Sequence, residues 1–90
     1  MKIGYARVST KDQSLDLQND ALRKEGVERI YAEKESGGKW ERKELHRMLD
    51  NLRPGDTLIV YKLDRLARSM KQLIEIAERL EAEGVELVSL

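Results

Sequence analysis

Two patterns of apolar residues alternate along the chain. Short stretches rich in isoleucine, leucine, valine and tyrosine predict strands at residues 2–8, 27–32, 57–63 and 85–90. Apolar residues that recur every three or four positions predict helices at residues 13–24, 41–52 and 69–84. Ser69 and Gln72 match a capping box at the start of the third helix. The nearly continuous apolar stretch 57–63 is typical of a central strand covered on both faces.

Strands that alternate with helices of about 10 to 15 residues favour right-handed crossovers and parallel pairing. We therefore predict an α/β fold: a small doubly wound, mainly parallel sheet of four strands with helices on both faces. The last predicted strand, 85–90, ends the sequence, and nothing follows it to cover the sheet edge. This indicates a truncated chain.

The composition allows one small domain, because the chain has 90 residues, of which 40% are apolar. The absence of cysteine excludes disulfides and thiolate metal sites and is compatible with a reduced cytoplasmic setting. No apolar stretch approaches the roughly 20 residues that a membrane span needs. We expect a soluble, cytoplasmic protein without a membrane partner.

Charge is balanced over the whole chain but not along it. The 17 basic and 17 acidic side chains give no net charge. Residues 2–71 carry 16 basic and 12 acidic side chains, whereas residues 72–90 carry five glutamates and one arginine. This distribution lets a polyanion approach one region of a neutral molecule, although solvated helix faces give the same imbalance.

Three arginines lie where ligands bind in open α/β sheets, at the carboxyl ends of the strands. Arg7 is near the end of the first predicted strand, and Arg65 and Arg68 stand three apart after the third strand, at the predicted start of a helix. A charged side chain inside a strand needs compensation. Arg7 therefore either binds an anionic ligand or forms an internal ion pair with Asp64 or Glu33.

Ser9 is the candidate nucleophile of this group, because it follows Arg7 at the strand end. Guanidinium groups match phosphate oxygens, so a serine beside them suits a phosphoryl-transfer centre. The single histidine, His46, lies in the predicted helix 41–52, which argues against a serine-histidine-aspartate triad and against a metal site. A Walker phosphate loop is absent from the sequence. We expect no metal and no nucleotide.

Other residues near this edge have two interpretations. Tyr5 is either a core residue with a polar tip or reaches the site through its hydroxyl. Gln13 and Gln18 are either site residues or ordinary capping and surface residues of the first helix. Trp40, in the predicted loop after the second strand, either anchors that loop on the helix 41–52 or offers a stacking surface to a partner.

Three separated blocks of sequence carry a family resemblance. Residues 5–10 read Tyr-Ala-Arg-Val-Ser-Thr, and residues 12–18 read Asp-Gln-Ser-Leu-Asp-Leu-Gln. Ser36 and Gly37 follow with Arg42, and residues 62–68 read Lys-Leu-Asp-Arg-Leu-Ala-Arg. In this order, the blocks resemble the N-terminal catalytic domain of the resolvase/invertase family of serine recombinases, over essentially the whole chain.

The resemblance implies site-specific DNA recombination through a 5′-phosphoserine intermediate, with strand exchange in a tetramer and no metal or nucleotide. It implies that Ser9 is the nucleophile and that the scissile phosphate is gripped by Arg7, Arg65 and Arg68. Asp64 resembles the acid that transfers a proton or orients the arginines. The supporting positions that the resemblance implies are Tyr5, Gln13, Gln18, Ser36 and Arg42.

Family members continue into a dimerisation helix and a DNA-binding domain. The resemblance therefore implies that residues 1–90 are an incomplete catalytic domain, inactive alone, whose full-length form is a homodimer or tetramer on double-stranded DNA. Small resolvases or invertases and large serine integrases both fit, and Ala67 stands where other members often have glycine. A second hypothesis is a non-catalytic interaction module with this fold, which associates through its unfinished sheet edge.

Overall fold

The computed structural model describes residues 1–9, 15–35 and 42–90, apart from the side chains of Ser9, Leu15 and Glu35. The strands are β1 (Lys2–Ser9), β2 (Arg29–Glu35), β3 (Thr57–Val60) and β4 (Glu86–Ser89). The helices are α1 (Leu15–Lys24), α2 (Lys43–Asn51) and α3 (Met70–Ala82), and a short 3-10 turn spans Leu63–Arg65.

The four strands form one parallel sheet in the order β2-β1-β3-β4, which confirms the predicted fold class. After β1 the chain goes to β2 on one side and then returns to β3 on the other, so strand order reverses between β1 and β3. Arg7 pairs in register with Glu33, and Tyr5 pairs with Tyr31 on one side and Val60 on the other. The carboxyl ends of β1, β2 and β3 therefore lie at one edge of the sheet, where ligands bind in folds of this type.

Helices cover both faces of the sheet, as predicted. On one face, α2 and α3 pack over the larger core, which includes Tyr5, Leu45, Met48, Leu58 and Leu80. On the other face, α1 packs through a smaller cluster of Ala6, Leu22 and Ile59. The approach of α1 is close, because a Cβ atom at Gly4 would lie 3.1 Å from Leu22 Cδ1.

Two strands differ by two or more residues from a predicted limit. The third strand ends at Val60, not at Leu63, because the chain leaves the sheet there and turns so that Leu66 and Ala67 enter the core. Residues 62 and 63 are exposed as a result. The second strand runs over 29–35 instead of 27–32, since its polar end remains paired with β1 as far as Ser9.

Two helix starts also differ in detail. The second helix begins at Lys43, with Arg42 as its N-cap, and its predicted start at position 41 lies outside the described residues. Ser69 is the N-cap of α3, and its Oγ accepts a hydrogen bond from the Gln72 backbone N–H at 3.2 Å, as in a capping box. The Gln72 side chain departs from that motif, because its Oε1 accepts from the backbone N–H of Arg68, at 3.0 Å. Among the described residues, we find no helix with the length and apolarity that crossing a membrane requires.

Candidate active site

Arg7 connects the first strand to the segment that follows the third. Its Nη2 atom donates a hydrogen bond to the backbone carbonyl of Asp64, at 2.9 Å. The sequence offered the Asp64 carboxylate as an ion-pair partner of Arg7, but this contact uses the main chain. The Asp64 side chain is exposed. The bond fixes the 3-10 turn Leu63–Arg65 over the end of β1.

The guanidinium of Arg7 lies in a positively charged environment. Burial and the charge of Arg65, followed by the charge of Arg68, lower the pKa of Arg7, while Tyr5 and Asp64 act in the opposite direction. The positive charges of Arg65 and Arg68 therefore both lie close enough to repel that of Arg7. Such an arrangement suits an anion such as phosphate, because its negative charge relieves the repulsion and its oxygens match the donors of a guanidinium group.

The sequence predicted Arg65 and Arg68 at the start of one helix, but the structure places them outside α3. Arg65 ends the 3-10 turn and is half-buried, whereas Arg68 is exposed in the connection to α3. Leu66 and Ala67, between them, are buried in the core with exposed fractions of 0% and 6%. The two arginines are therefore held by an apolar anchor, and a cavity of about 220 Å³ lies beside Asp64 and Arg68.

Tyr5 is a core residue whose hydroxyl has a defined partner. The side chain is fully buried, and its hydroxyl donates a hydrogen bond to Oε2 of Glu33 on the neighbouring strand. Glu33 is itself 6% exposed, and its Oε1 accepts from the backbone N–H of Glu44 in the first turn of α2, at 3.2 Å. The positive end of that helix favours a carboxylate. Glu33 thus links β1, β2 and the start of α2.

Glu33 was missed as a member of the site, although it was considered as an ion-pair partner of Arg7. The signal that could have found it is its position in the sheet, directly opposite Arg7 in a parallel pair. That position follows only from the register of β2, and the predicted end of this strand at residue 32 left Glu33 in a loop.

Gln18 is neither a capping nor a surface residue of α1. Its side chain is fully buried, and its Nε2 donates a hydrogen bond to the backbone carbonyl of Arg7 at 3.1 Å. Of the two interpretations of Gln18, the one as an ordinary capping or surface residue was therefore wrong. The bond attaches α1 to β1 at the residue whose guanidinium lies in the arginine group.

Arg42 precedes α2 in an uncommon backbone conformation. It occupies the N-cap position with φ 63° and ψ 24°, in the left-handed region that residues other than glycine rarely adopt. Its carbonyl accepts the backbone N–H of His46, at 3.0 Å. Residues in such conformations are often found at functional sites, where the surrounding structure holds them in place.

The remaining candidate residues lie wholly or partly outside the described residues. The backbone of Ser9 ends β1 two positions after Arg7, at the carboxyl edge of the sheet, but its side chain is not described. Gln13, Ser36 and Trp40 fall outside the described ranges altogether. Within those ranges, no group of three or more histidine, cysteine, aspartate or glutamate side chains could hold a metal ion.

The sequence and the fold have clear counterparts among known proteins. The family model described as "Resolvase, N terminal domain" matches residues 2–90. The chain belongs to the resolvase family. It is the catalytic domain of a serine recombinase, as the three sequence blocks predicted.

Individual relatives agree with this assignment. The chain is 51% identical over 90 residues to the serine recombinase gin of Escherichia phage Mu and 48% identical to the transposon Tn917 resolvase of Enterococcus faecalis. It covers 47% and 49% of those proteins, so the domain spans about half the length of the relatives it matches.

A solved structure shares the fold. The C-terminal catalytic domain of ISC1926 TnpA, an IS607-like serine recombinase, superposes with a TM-score of 0.78 at 25% sequence identity. The match covers 96% of this chain and 64% of that one. The similarity therefore extends over almost the whole domain.

Proposed function

We propose that this resolvase domain cleaves double-stranded DNA by attack of the Ser9 hydroxyl on a phosphodiester. The observation that supports this most directly is the contact of Arg7 with Asp64, which brings three guanidinium groups to the edge where β1 ends in Ser9. Phosphoryl transfer needs a nucleophile in line with the phosphate and positive charge around it. The proposed site has the arginines at the same edge of the sheet as the end of the strand that carries Ser9.

In the proposed step, the Ser9 oxygen forms a bond to phosphorus while the bond from phosphorus to the DNA 3′ oxygen breaks. The serine hydroxyl loses its proton and the 3′ oxygen gains one, so that the products are a 5′-phosphoserine link and a free 3′-hydroxyl. Religation reverses these steps on an exchanged strand. The energy of the phosphodiester is kept in the covalent link, and the reaction needs no metal and no nucleotide.

The arginines are the proposed source of transition-state stabilisation. Arg7, Arg65 and Arg68 would bind the non-bridging phosphate oxygens, where negative charge is concentrated during transfer. A single well-placed arginine can accelerate phosphoryl transfer by about 10³ to 10⁵. A group of three can therefore supply what metal ions supply in other phosphoryl-transfer enzymes.

The other candidate residues have supporting roles in this proposal. Asp64 transfers a proton or orients the arginines from the 3-10 turn. Tyr5 and Gln18 hold β1 from the two faces of the sheet, through the contacts with Glu33 and with the Arg7 carbonyl. Further supporting contacts to DNA or to the arginines are assigned to Gln13, Ser36 and Arg42.

The whole reaction requires more than this domain. Because the chain spans about half the length of its relatives, we propose that residues 1–90 do not complete recombination alone. Strand exchange would take place between copies of the full-length protein, in a dimer or tetramer on DNA in the cytoplasm. Whether the outcome is deletion, inversion or integration depends on that assembly.

The test is to trap the covalent intermediate. The full-length protein is incubated with DNA that carries its recombination site, without added metal, and the mixture is denatured. We expect a protein-DNA adduct that Ser9→Ala abolishes. Ser89→Ala, in the exposed end of β4, is the matched control and should form the adduct as the wild type does.

Two outcomes would contradict the proposal. An adduct that persists unchanged in Ser9→Ala would show that another residue is the nucleophile. A wild-type protein that binds its site without forming an adduct would favour the non-catalytic interaction module.

A further inference from the structure

Arg68 is the most exposed of the three arginines, and its backbone is held by a side chain outside the candidate site. The Oε1 atom of Gln72 accepts the backbone N–H of Arg68 at 3.0 Å. Gln72 is half-buried in the first turn of α3, and its own N–H donates to Ser69 Oγ. The two hydrogen bonds fold the connection back onto the start of the helix.

This geometry differs from an ordinary capping box in a way that concerns the site. In a capping box, the side chain at the third helical position bonds the backbone N–H of the N-cap residue. Here that residue is Ser69, yet Gln72 reaches one residue further back, to Arg68. The side chain that would normally stabilise only the helix end therefore fixes the backbone of a proposed phosphate-binding arginine.

The identity of the residue at this position also suits the site. Glutamate and glutamine both serve in capping boxes, but glutamate would place a negative charge next to the backbone of Arg68. Glutamine accepts the same hydrogen bond without reducing the positive charge available to a phosphate. The neutral amide thus provides a fixed acceptor and leaves the charge of the arginine group unchanged.

We infer that Gln72 is a positioning residue for Arg68, which fixes the point from which this guanidinium reaches the scissile phosphate. The inference rests on the proposed function. Ala67 anchors the chain on one side of Arg68 in the core, and Gln72 holds the amide of Arg68 itself. Without Gln72, the amide of Arg68 would lose this acceptor, and the backbone that carries the guanidinium would be held less precisely.

The test compares two variants that remove different halves of the same cap. Gln72→Met retains the length and helix propensity of the side chain but removes the acceptor. Ser69→Ala removes the bond to the Gln72 N–H and leaves the acceptor for Arg68 in place. Both should lower the melting temperature of the full-length protein, because each deletes one hydrogen bond of the cap.

The cleavage rate should separate them. In single-turnover cleavage of bound DNA, Gln72→Met should be about ten- to a hundredfold slower than wild type, the order of loss that a small misplacement of a catalytic group causes. Ser69→Ala should cleave at close to the wild-type rate, and DNA affinity should change little in either variant. In an Arg68→Lys background, Gln72→Met should cause a much smaller loss, because coupled residues are not additive.

Equal cleavage rates for Gln72→Met and Ser69→Ala would overturn the inference, as would an undiminished effect of Gln72→Met in the Arg68→Lys background. Either result would show that Gln72 only caps the helix and does not position Arg68. They are distinguishable from failure of the proposed function, since that failure is a persistent adduct in Ser9→Ala. If Ser9→Ala abolishes the adduct while the two cap variants behave alike, only the role of Gln72 is lost.

Discussion

Arginine at the proposed phosphate site acts through its shape as well as its charge. A guanidinium presents a planar pair of donors to two phosphate oxygens, whereas an ammonium is a point charge. At Arg7 one donor of the guanidinium is used within the protein, since Nη2 donates to the Asp64 carbonyl. A substitution that keeps charge but removes the planar fork can therefore separate binding from catalysis.

Replacing Arg65 by lysine should suppress DNA cleavage more than it weakens DNA binding. We expect a loss of about tenfold or more in the single-turnover cleavage rate; because lysine keeps the charge, the loss can be smaller than the about 10³ to 10⁵ attributed to a whole arginine. The dissociation constant, measured by a gel-shift titration at fixed salt, should change much less. Equal losses in rate and in affinity would argue that Arg65 only attracts DNA.

Burial of Glu33 shows how a charged residue can belong to the interior. Its two oxygens accept from the Tyr5 hydroxyl and from the Glu44 amide, so the carboxylate keeps hydrogen bonds in place of water. Burial of a charge is tolerated when such partners replace its hydration. Neither partner is near Glu33 in sequence, and for this reason no local pattern predicted the contact.

At the level of elements, the start of α2 carries the clearest strain in the described backbone. Arg42 adopts a left-handed conformation that costs roughly 1 to 2 kcal/mol for a residue with a side chain. Arg42→Gly should therefore be more stable than Arg42→Ala by about 1 kcal/mol, once the greater freedom of glycine in the unfolded chain is subtracted. Urea denaturation of the two variants measures this difference.

The comparison is matched, because both variants lose the same guanidinium and all of its contacts. Because the proposed mechanism uses the Arg42 side chain, both variants should show the same reduced cleavage activity. If the alanine variant were as stable as the glycine variant, the backbone at position 42 would not be strained.

Most of the elements could be predicted from the sequence, because apolar periodicity reports which side of each element faces the core. This periodicity predicts the central part of β3 and the buried face of α2, which includes Leu45 and Met48. The end of β3 could not be predicted in this way. Tyr61 to Leu63 are strand-like locally, but the burial of Leu66 and Ala67 requires the chain to turn earlier.

The site could be predicted only in part, for a related reason. The arginines and Ser9 were found because charged and nucleophilic residues at strand ends are unusual, and because their motifs resemble a family. The contact of Gln18 with the Arg7 carbonyl could not be predicted, since it depends on the distance between α1 and β1. Contacts that cross between elements depend on packing, which a single sequence does not specify.

On the scale of the whole molecule, the carboxyl and amino ends of the strands form two edges of the sheet with different residues and contacts. The carboxyl edge presents the arginines, whereas the amino edge is tied together by main-chain and charged contacts. The N-terminal ammonium of Met1 lies 3.2 Å from Oδ1 of Asp56, and the Thr57 N–H donates to the Met1 carbonyl at 2.9 Å. The Asp56 carbonyl in turn accepts from Glu86, so one residue connects β1, β3 and β4.

These contacts predict how stability depends on pH. The hydrogen bond from the Arg53 backbone N–H, followed by the N-terminal ammonium, lowers the pKa of Asp56 below its usual value, against the opposing effect of burial. A carboxyl with a lowered folded pKa stabilises the protein above its unfolded pKa, about 3.9. That stabilisation is lost as the pH falls through the folded pKa.

Asp56→Asn should therefore reduce the stability at pH 6 and flatten its decline in acid, so that the two proteins converge as the pH falls through the folded pKa of Asp56. Chemical denaturation at a series of pH values measures this. Asp20→Asn, at an exposed position of α1, should keep the wild-type profile. A constant difference between wild type and Asp56→Asn at every pH would show that the Asp56 charge makes no contribution.

The close approach of α1 to the sheet has a consequence for the alignment of the arginine edge. The missing methyl group of Gly4 lets Leu22 settle against β1, and Gln18, one helical turn earlier, then reaches the carbonyl of Arg7. Glycine at position 4 has no Cβ atom and therefore allows α1 to pack close to β1. A Cβ atom at position 4 would require Leu22 to move by a few tenths of an ångström, and if α1 moved with it, Gln18 would pass the shift to the strand that carries Arg7.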